Sequence, residues 1–218
     1  MRNLRSSTGT LACAVLWCRV VTRMHSQEWL CYLNYPMTYY ERNLPHWLPE
    51  GRTIFVTWRL LGSLPQHVVE LLRGSDDRSG RQFARAERFL DKADSGPLWL
   101  RVPEIADRVE ACILRGAREL GQYGVVAYVV MPNHVHLLIE PRASLKRITG
   151  GIKGVSAYEA NRILGRRGKP FWQGESFDHW VRTPGEYEKI RSYIENNPVK
   201  AGLSCTPEAW PWSSAAKK

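Results

Sequence analysis

The sequence predicts an α+β or α/β sandwich, in which helices pack on a sheet. Two patterns support this: strand candidates rich in β-branched and aromatic residues, and segments of helical spacing that alternate with them. The predicted strands cover residues 53–60, 125–131, 134–139 and 176–182. The predicted helices cover residues 65–74, 82–94, 103–120, 144–164 and 184–197.

Proline, glycine and capping residues mark the boundaries of these elements. Pro65 opens a short helix after the first strand, and Pro103 opens a longer one. In the last helix, Thr183 is the expected N-cap and Glu186 the N3 residue of a capping box, with Pro198 and Gly202 as the expected stop. These signals predict where the helices begin and end.

An antiparallel hairpin is predicted in the middle of the chain. Residues 125–131 are almost wholly apolar, as in a strand that is covered on both faces. Only Pro132 and Asn133 separate them from the next apolar run, which begins with two histidines. A two-residue connection between such runs is typical of a hairpin.

The net charge favours a polyanionic partner. Lys and Arg total 31 against 21 Asp and Glu, which gives a formal net charge of +10 over 218 residues. Nucleic acid or an anionic membrane surface is then the first expectation, and a basic surface without a specific partner is the alternative. The apolar fraction of 44% suffices for the core of one domain with an appendage.

The N-terminal residues differ in composition from the rest of the chain. Residues 1–37 show no clear period and carry three of the five cysteines. We expect them to form a poorly ordered extension, and residues 38–218 to form a single domain. The odd cysteine count without a CxxC motif predicts reduced thiols in a cytoplasmic protein. No apolar run approaches the roughly 20 residues that a membrane span needs.

His134 and His136 open the second strand of the predicted hairpin. Since side chains alternate faces along a strand, both imidazoles leave the sheet on the same side. Buried imidazoles need polar partners, which predicts a metal or phosphate site, with hydrogen-bonded core histidines as the alternative. The pair does not specify a metal, because imidazole suits Zn, Mn or Fe and a phosphate substrate favours Mg or Mn.

Tyr193 and Asn197 lie one turn apart on the last predicted helix. Their i, i+4 spacing places both side chains on the same side of it. Separately they suit a core tyrosine and a capping residue near the helix end. Together they could bring a nucleophilic phenol and a third metal ligand to the histidine pair.

Basic residues are concentrated between the histidines and the last helix. They are interleaved with Phe171 and Trp172, a pattern that fits a groove for single-stranded nucleic acid with stacking platforms. A solvated basic face and core aromatic rings are the alternatives. The candidate DNA-binding residues are Lys146, Arg147, Lys153, Arg162, Arg166, Arg167, Lys169 and Trp172.

The segments MPNHVHLLIEP and RSYIENNPVKAGL together resemble the REP-associated tyrosine transposases, relatives of the single-tyrosine HUH transposases (His, hydrophobic residue, His). The resemblance runs from about Tyr39 to Ser214 and implies a ferredoxin-like α+β palm with an antiparallel central sheet. It matches His134 and His136 to the family's metal-binding histidines and Tyr193 to its nucleophile. Asn197 falls where relatives carry a polar third ligand.

The resemblance implies a DNA transposase that cuts and rejoins single strands. Attack by a tyrosine on a phosphodiester would give a 5′-phosphotyrosine link, assisted by a divalent metal, Mg or Mn. The expected partner is single-stranded or hairpin DNA of palindromic repeats, bound by a monomer or homodimer in the cytoplasm at the nucleoid, without a membrane. The alternatives are a domesticated DNA-binding protein without transposition and a metal-dependent hydrolase that uses the histidines and water.

Overall fold

The computed structural model describes residues 37–41, 45–49, 51–73, 80–92 and 96–217. Its strands are β1 (Met37–Glu41), β2 (Pro45–Pro49), β3 (Ile54–Arg59), β4 (Tyr123–Val130), β5 (His134–Pro141) and β6 (Phe177–Trp180). Its helices are α1 (Gln66–Arg73), α2 (Gly80–Lys92), α3 (Pro103–Arg118), α4 (Leu145–Ile163) and α5 (Pro184–Lys200). Short 3₁₀ turns cover Trp99–Arg101, Pro207–Ala209 and Ser214–Lys217.

The central sheet is antiparallel, with the strand order β4-β5-β3-β6. Along the chain, β3 leads through helices to the β4–β5 hairpin, and α4 then leads to β6. This β-α-β-β-α-β order with the two middle strands at one side is the ferredoxin-like arrangement. The α+β sandwich with an antiparallel central sheet is therefore confirmed.

Strand β5 divides its side chains between two cores. Val135, Leu137 and Ile139 lie in the larger core, which α3 and α4 cover. Leu138 lies in the smaller core on the other face, where α5 contributes Ile190 and Ile194. Because successive residues of a strand alternate faces, His134 and His136 lie on the α5 side of the sheet.

Several boundaries differ from the predictions. The lead-in before the central sheet forms an antiparallel ribbon of β1 and β2, because its extended segments pair with each other. Pro198 lies inside α5 and does not end it, since the helix continues to Lys200. The predicted N-terminal extension lies outside the described residues except for Met37, which begins β1. Among the described helices, none has the length and apolarity needed to cross a membrane.

Candidate metal centre and nucleophile

Two adjacent strands of the sheet hold the histidines in place. The backbone pairs Thr57 of β3 with His136 and Arg59 with His134. Both imidazoles are fully buried, and their Nε2 atoms lie 3.0 Å apart. The prediction that both imidazoles leave the sheet on the same side is thus confirmed, and their Nε2 atoms meet there.

A second partner orients each ring from behind. His134 Nδ1 lies 2.6 Å from Asn133 Oδ1, and His136 Nδ1 lies 2.7 Å from Thr57 Oγ1. An amide oxygen only accepts, so His134 carries its hydrogen on Nδ1 and directs the Nε2 lone pair at the site. Hydrogen bonds at Nδ1 are the usual way in which proteins orient a metal-ligating histidine.

Helix α2 adds a carboxylate that the sequence analysis did not single out. Glu87 is 3% exposed, and its Oε2 lies 3.3 Å from His136 Nε2. Among the described residues, Glu87, His134 and His136 form a group whose ligand atoms all lie within 4.8 Å of one another. Asp91, one helical turn further, lies 4.0 Å from His134 Nε2 and 2.7 Å from Lys200 Nζ.

Helix α5 brings Tyr193 and Asn197 to the same place within one chain. The ring centroid of Tyr193 lies 5.4 Å from that of His136, and its hydroxyl donates a short hydrogen bond to Glu87 Oε2. Asn197 is fully buried, with Nδ2 at 3.3 Å from His136 Nε2. Its Oδ1 has no hydrogen-bond partner among the residues that the structure describes, and a half-turn of the amide would direct that oxygen at the histidines.

Burial and mutual contact set the charges of this cluster. Burial, followed by the adjacent His136, lowers the pKa of His134 to about 3, which leaves the ring neutral at neutral pH. Burial alone would raise the pKa of Glu87, but His136, His134 and the Tyr193 hydroxyl outweigh it and keep the carboxylate ionised. Burial, then the charges of Glu87 and Asp91, raise the pKa of Tyr193 well above 10.

The arrangement fits a divalent cation. Two ligands at right angles, each about 2.1 Å from an octahedral ion, lie about 3 Å apart, which matches the 3.0 Å between the two Nε2 atoms. Within the part of the chain that the structure describes, Glu87 Oε1, Asp91 Oδ1 and Asn197 Oδ1 are buried without hydrogen-bond partners. Buried oxygens are rarely left unsatisfied, and carboxylate and amide oxygens are the ligands that Mg²⁺ and Mn²⁺ prefer.

The predicted DNA-binding residues fall into two groups. The side chains of Lys146, Arg147, Arg162, Arg167 and Lys169 are exposed. Of these five, Arg162 also pairs with Glu159 at 2.9 Å. Lys153 and Arg166 are less exposed and contact the protein: the Lys153 ammonium donates to the carbonyls of Gln173 and Gly174, and the Arg166 guanidinium lies 4.0 Å from the centre of the Trp99 ring.

Trp172 is buried, so it does not form the predicted stacking platform. It is 8% exposed, belongs to the larger core, and donates from Nε1 to Ser156 Oγ at 3.0 Å. Phe171 is likewise buried, at 2% exposed. The core interpretation of both rings is therefore correct, because neither offers a face on which a base could stack.

The spacing of Glu87 and Asp91 in the sequence did not indicate that they belong to the site. They stand at i, i+4 on α2, beside the apolar positions of that helix. An acidic pair on an amphipathic helix usually belongs to its solvated face. Only the packing of α2 over the α5 side of the sheet shows that the Glu87 carboxylate points inward.

Comparison with known proteins finds transposases that are similar to this chain in sequence or in fold. Residues 101–197, somewhat less than half of the chain, match the family described as "Transposase IS200 like". A solved structure described as the REP-associated tyrosine transposase bound to a REP hairpin aligns with a TM-score of 0.51 and 18% identity, over 81% of this chain and 84% of that one.

A second solved structure, described as "a putative transposase" from Deinococcus radiodurans R1, aligns with a TM-score of 0.37 and 18% identity over 72% of this chain and 96% of that one. Among curated proteins, none matches the chain significantly. The matched residues 101–197 span the histidine pair and Tyr193, so this part of the chain is similar to the IS200-like transposases.

Proposed function

We propose that this protein is a DNA transposase that cuts single-stranded DNA by attack of Tyr193 on a phosphodiester. The observation that carries the proposal is the convergence of the Tyr193 hydroxyl with the His134 and His136 Nε2 atoms in one buried site of one chain. Attack would join the phenolic oxygen to phosphorus and release the 3′-oxygen, leaving a 5′-phosphotyrosine and a free 3′-hydroxyl. Because the covalent link preserves the bond energy, rejoining needs no nucleotide cofactor.

Tyr193 is protonated at rest and must lose its hydrogen as the new bond forms. Its raised pKa means that the free phenolate is scarce at neutral pH. The hydroxyl donates to Glu87 Oε2, so that carboxylate is placed to accept the hydrogen that has to leave. Glu87 therefore orients the phenol as well as adding charge to the site.

His134 and His136 would hold a divalent cation, Mg or Mn, with Asn197 and Glu87 as further oxygen ligands. When bound, such an ion polarises the phosphodiester and offsets the charge that develops during attack. Asn133 and Thr57 support this role, because they fix the ring orientations from the Nδ1 side. Asp91, whose Oδ1 lies 4.0 Å from His134 Nε2, would add a second carboxylate beside the cation.

The substrate that fits best is a hairpin or single strand from palindromic repeats. The structurally similar transposase is described as bound to a REP hairpin. The net charge of +10 suits a polyanion, and exposed cations on α4 and the following loop supply phosphate contacts. Action on such DNA would place the protein in the cytoplasm at the nucleoid, as a monomer or a homodimer.

A covalent-adduct assay tests the proposal. Labelled hairpin DNA would be incubated with Mn²⁺ and protein, and separated in denaturing gels. The wild type should give a band that survives detergent, and Tyr193→Phe should bind the DNA without forming that band. Binding without any adduct by the wild type would favour a domesticated DNA-binding protein, and cleavage by Tyr193→Phe would favour a hydrolase that uses water.

A further inference from the structure

We propose that Arg59 binds a phosphate of the DNA strand beside the histidine centre. The inference rests on the proposed function only for the identity of the anion. The arginine itself is singled out by its position on the sheet and by its lack of a counter-charge from any described residue.

Arg59 lies on the same face of the sheet as the histidines. It is the backbone partner of His134 across β3 and β5, and it follows Phe55 and Thr57 in the alternation of β3. Cross-strand partners have their Cβ atoms about 5 Å apart. A side chain as long as arginine can therefore reach the space in front of the neighbouring imidazole.

The backbone around Arg59 is fixed from both sides. Its carbonyl accepts from the amide of Gln173 at 2.9 Å, and the next amide, Leu60 N, donates to Asn133 O at 2.8 Å. Asn133 is also the residue that orients His134. The base of the arginine side chain is thus held rigidly against the turn that carries the metal-site histidines.

The guanidinium of Arg59 has almost no protein partner. Within the described ranges its only polar side-chain contact is a long bond of 3.4 Å from Nη1 to Ser63 Oγ, and no carboxylate lies within ion-pair distance. Arg115, Arg162 and Arg191 show the usual arrangement, since each contacts a glutamate on its own helix. Arg59 keeps most of its five donors for something else.

Burial makes this lack of a partner costly. The side chain is half-buried, and burial lowers the pKa of Arg59 to about 10, which still leaves the group charged at neutral pH. A desolvated charge is unfavourable unless an opposite charge or hydrogen-bond acceptors compensate it. A phosphate meets both needs, because guanidinium donors match its oxygens in pairs.

The first test compares DNA binding in the Tyr193→Phe background, where cleavage cannot interfere. Affinity for a labelled hairpin oligonucleotide would be measured by fluorescence anisotropy at several salt concentrations for Arg59→Gln and Arg59→Lys. Arg115→Gln, which removes a paired arginine on α3, is the matched control.

We expect Arg59→Gln to weaken binding roughly 10- to 100-fold, as for a lost charge-assisted bond. The slope of log affinity against log salt should fall by about 0.7, the contribution of one single-strand phosphate. Arg59→Lys should keep the slope, and Arg115→Gln should change neither quantity. Unfolding temperatures measured in parallel should show that Arg59→Gln remains folded.

The second test locates the phosphate. Each backbone position of the oligonucleotide in turn would carry a neutral methylphosphonate. At one position, the methylphosphonate should weaken DNA binding by the protein that retains Arg59. At that position it should not change DNA binding by Arg59→Gln. Equal losses for both proteins at every position, or an unchanged affinity and salt slope for Arg59→Gln, would overturn the proposal. Neither result depends on cleavage, so failure of the adduct assay and failure of this test are separate outcomes.

Discussion

Substituting Glu87 by Gln tests whether α2 belongs to the metal site. The change keeps the size of the side chain and one carbonyl-type oxygen, but removes the negative charge that faces His136 at 3.3 Å. If Glu87 is a ligand, the cation loses a carboxylate and retains two neutral imidazoles and an amide. If Glu87 only packs against Tyr193, the cation should bind as before.

The expected loss follows from the contacts of Glu87. Partners that merely orient a ligand change metal affinity by about 10- to 100-fold. A carboxylate that contacts the ion should cost at least as much, or roughly 1.4 to 2.7 kcal/mol. Glu87 Oε1 is buried without a hydrogen-bond partner in the described ranges, so this atom is free to contact an ion.

Isothermal titration of Mn²⁺ into purified protein provides the measurement. We expect Glu87→Gln to bind Mn²⁺ at least tenfold more weakly than the wild type and Glu119→Gln, an exposed control at the C-cap of α3, to be unchanged. Unchanged Mn²⁺ affinity in Glu87→Gln, combined with lost binding in His136→Ala, would exclude Glu87 from the site and leave Asn197 as the third ligand.

Three further substitutions test the fold around the site. Gly116→Ala should lower the free energy of unfolding by about 1–2 kcal/mol in denaturant titration, because a Cβ there would overlap the buried ring of Tyr123. This clash should exceed the gain in helix propensity. A stabilised variant would contradict this packing. Trp172→Phe should cost about 1–3 kcal/mol and leave DNA affinity unchanged, since the ring is buried and its Nε1 donates to a buried hydroxyl; weakened DNA binding without unfolding would restore Trp172 as a contact. Burial would raise the pKa of Glu186, but hydrogen bonds from His179 and a backbone amide hold that pKa below its usual 4.5. The ionised Glu186 carboxylate should therefore stabilise the fold above pH 4.5, and this contribution should fade as the pH falls through the lowered pKa. Urea midpoints of Glu186→Gln and wild type should therefore differ at pH 7 and converge at low pH, and a constant difference would refute the assignment.

The sequence was most informative where local pattern determines the structure. The two apolar runs joined by Pro132 and Asn133 predict the hairpin, and the hairpin places both histidines on one face. Thr183 accepts from the Glu186 amide as predicted. The Glu186 carboxylate, however, accepts from the amide of Arg182 and contacts His179, so the capping box is not closed in its usual form.

Long-range packing explains most of what the sequence could not provide. Glu87 lies 47 and 49 positions before the histidines that it faces, and nothing in the period of its own helix distinguishes an inward carboxylate from a solvated one. Trp172 is of a residue type that often stacks on bases. In the structure, however, an isolated antiparallel bridge pairs its backbone with Leu60, next to β3. Pro198 reads as a helix stop, yet α5 accommodates it in its last turn.

The most direct test of the account is to identify the residue that becomes attached to DNA. After reaction with hairpin DNA and Mn²⁺, nuclease trimming and tryptic digestion, mass spectrometry should find the nucleotide on the peptide of residues 192–200, whose single aromatic residue is Tyr193. The modification should be absent when divalent metal is removed. A nucleotide attached to any other peptide, or cleaved DNA with no modified peptide, would contradict the assignment of Tyr193 as the nucleophile.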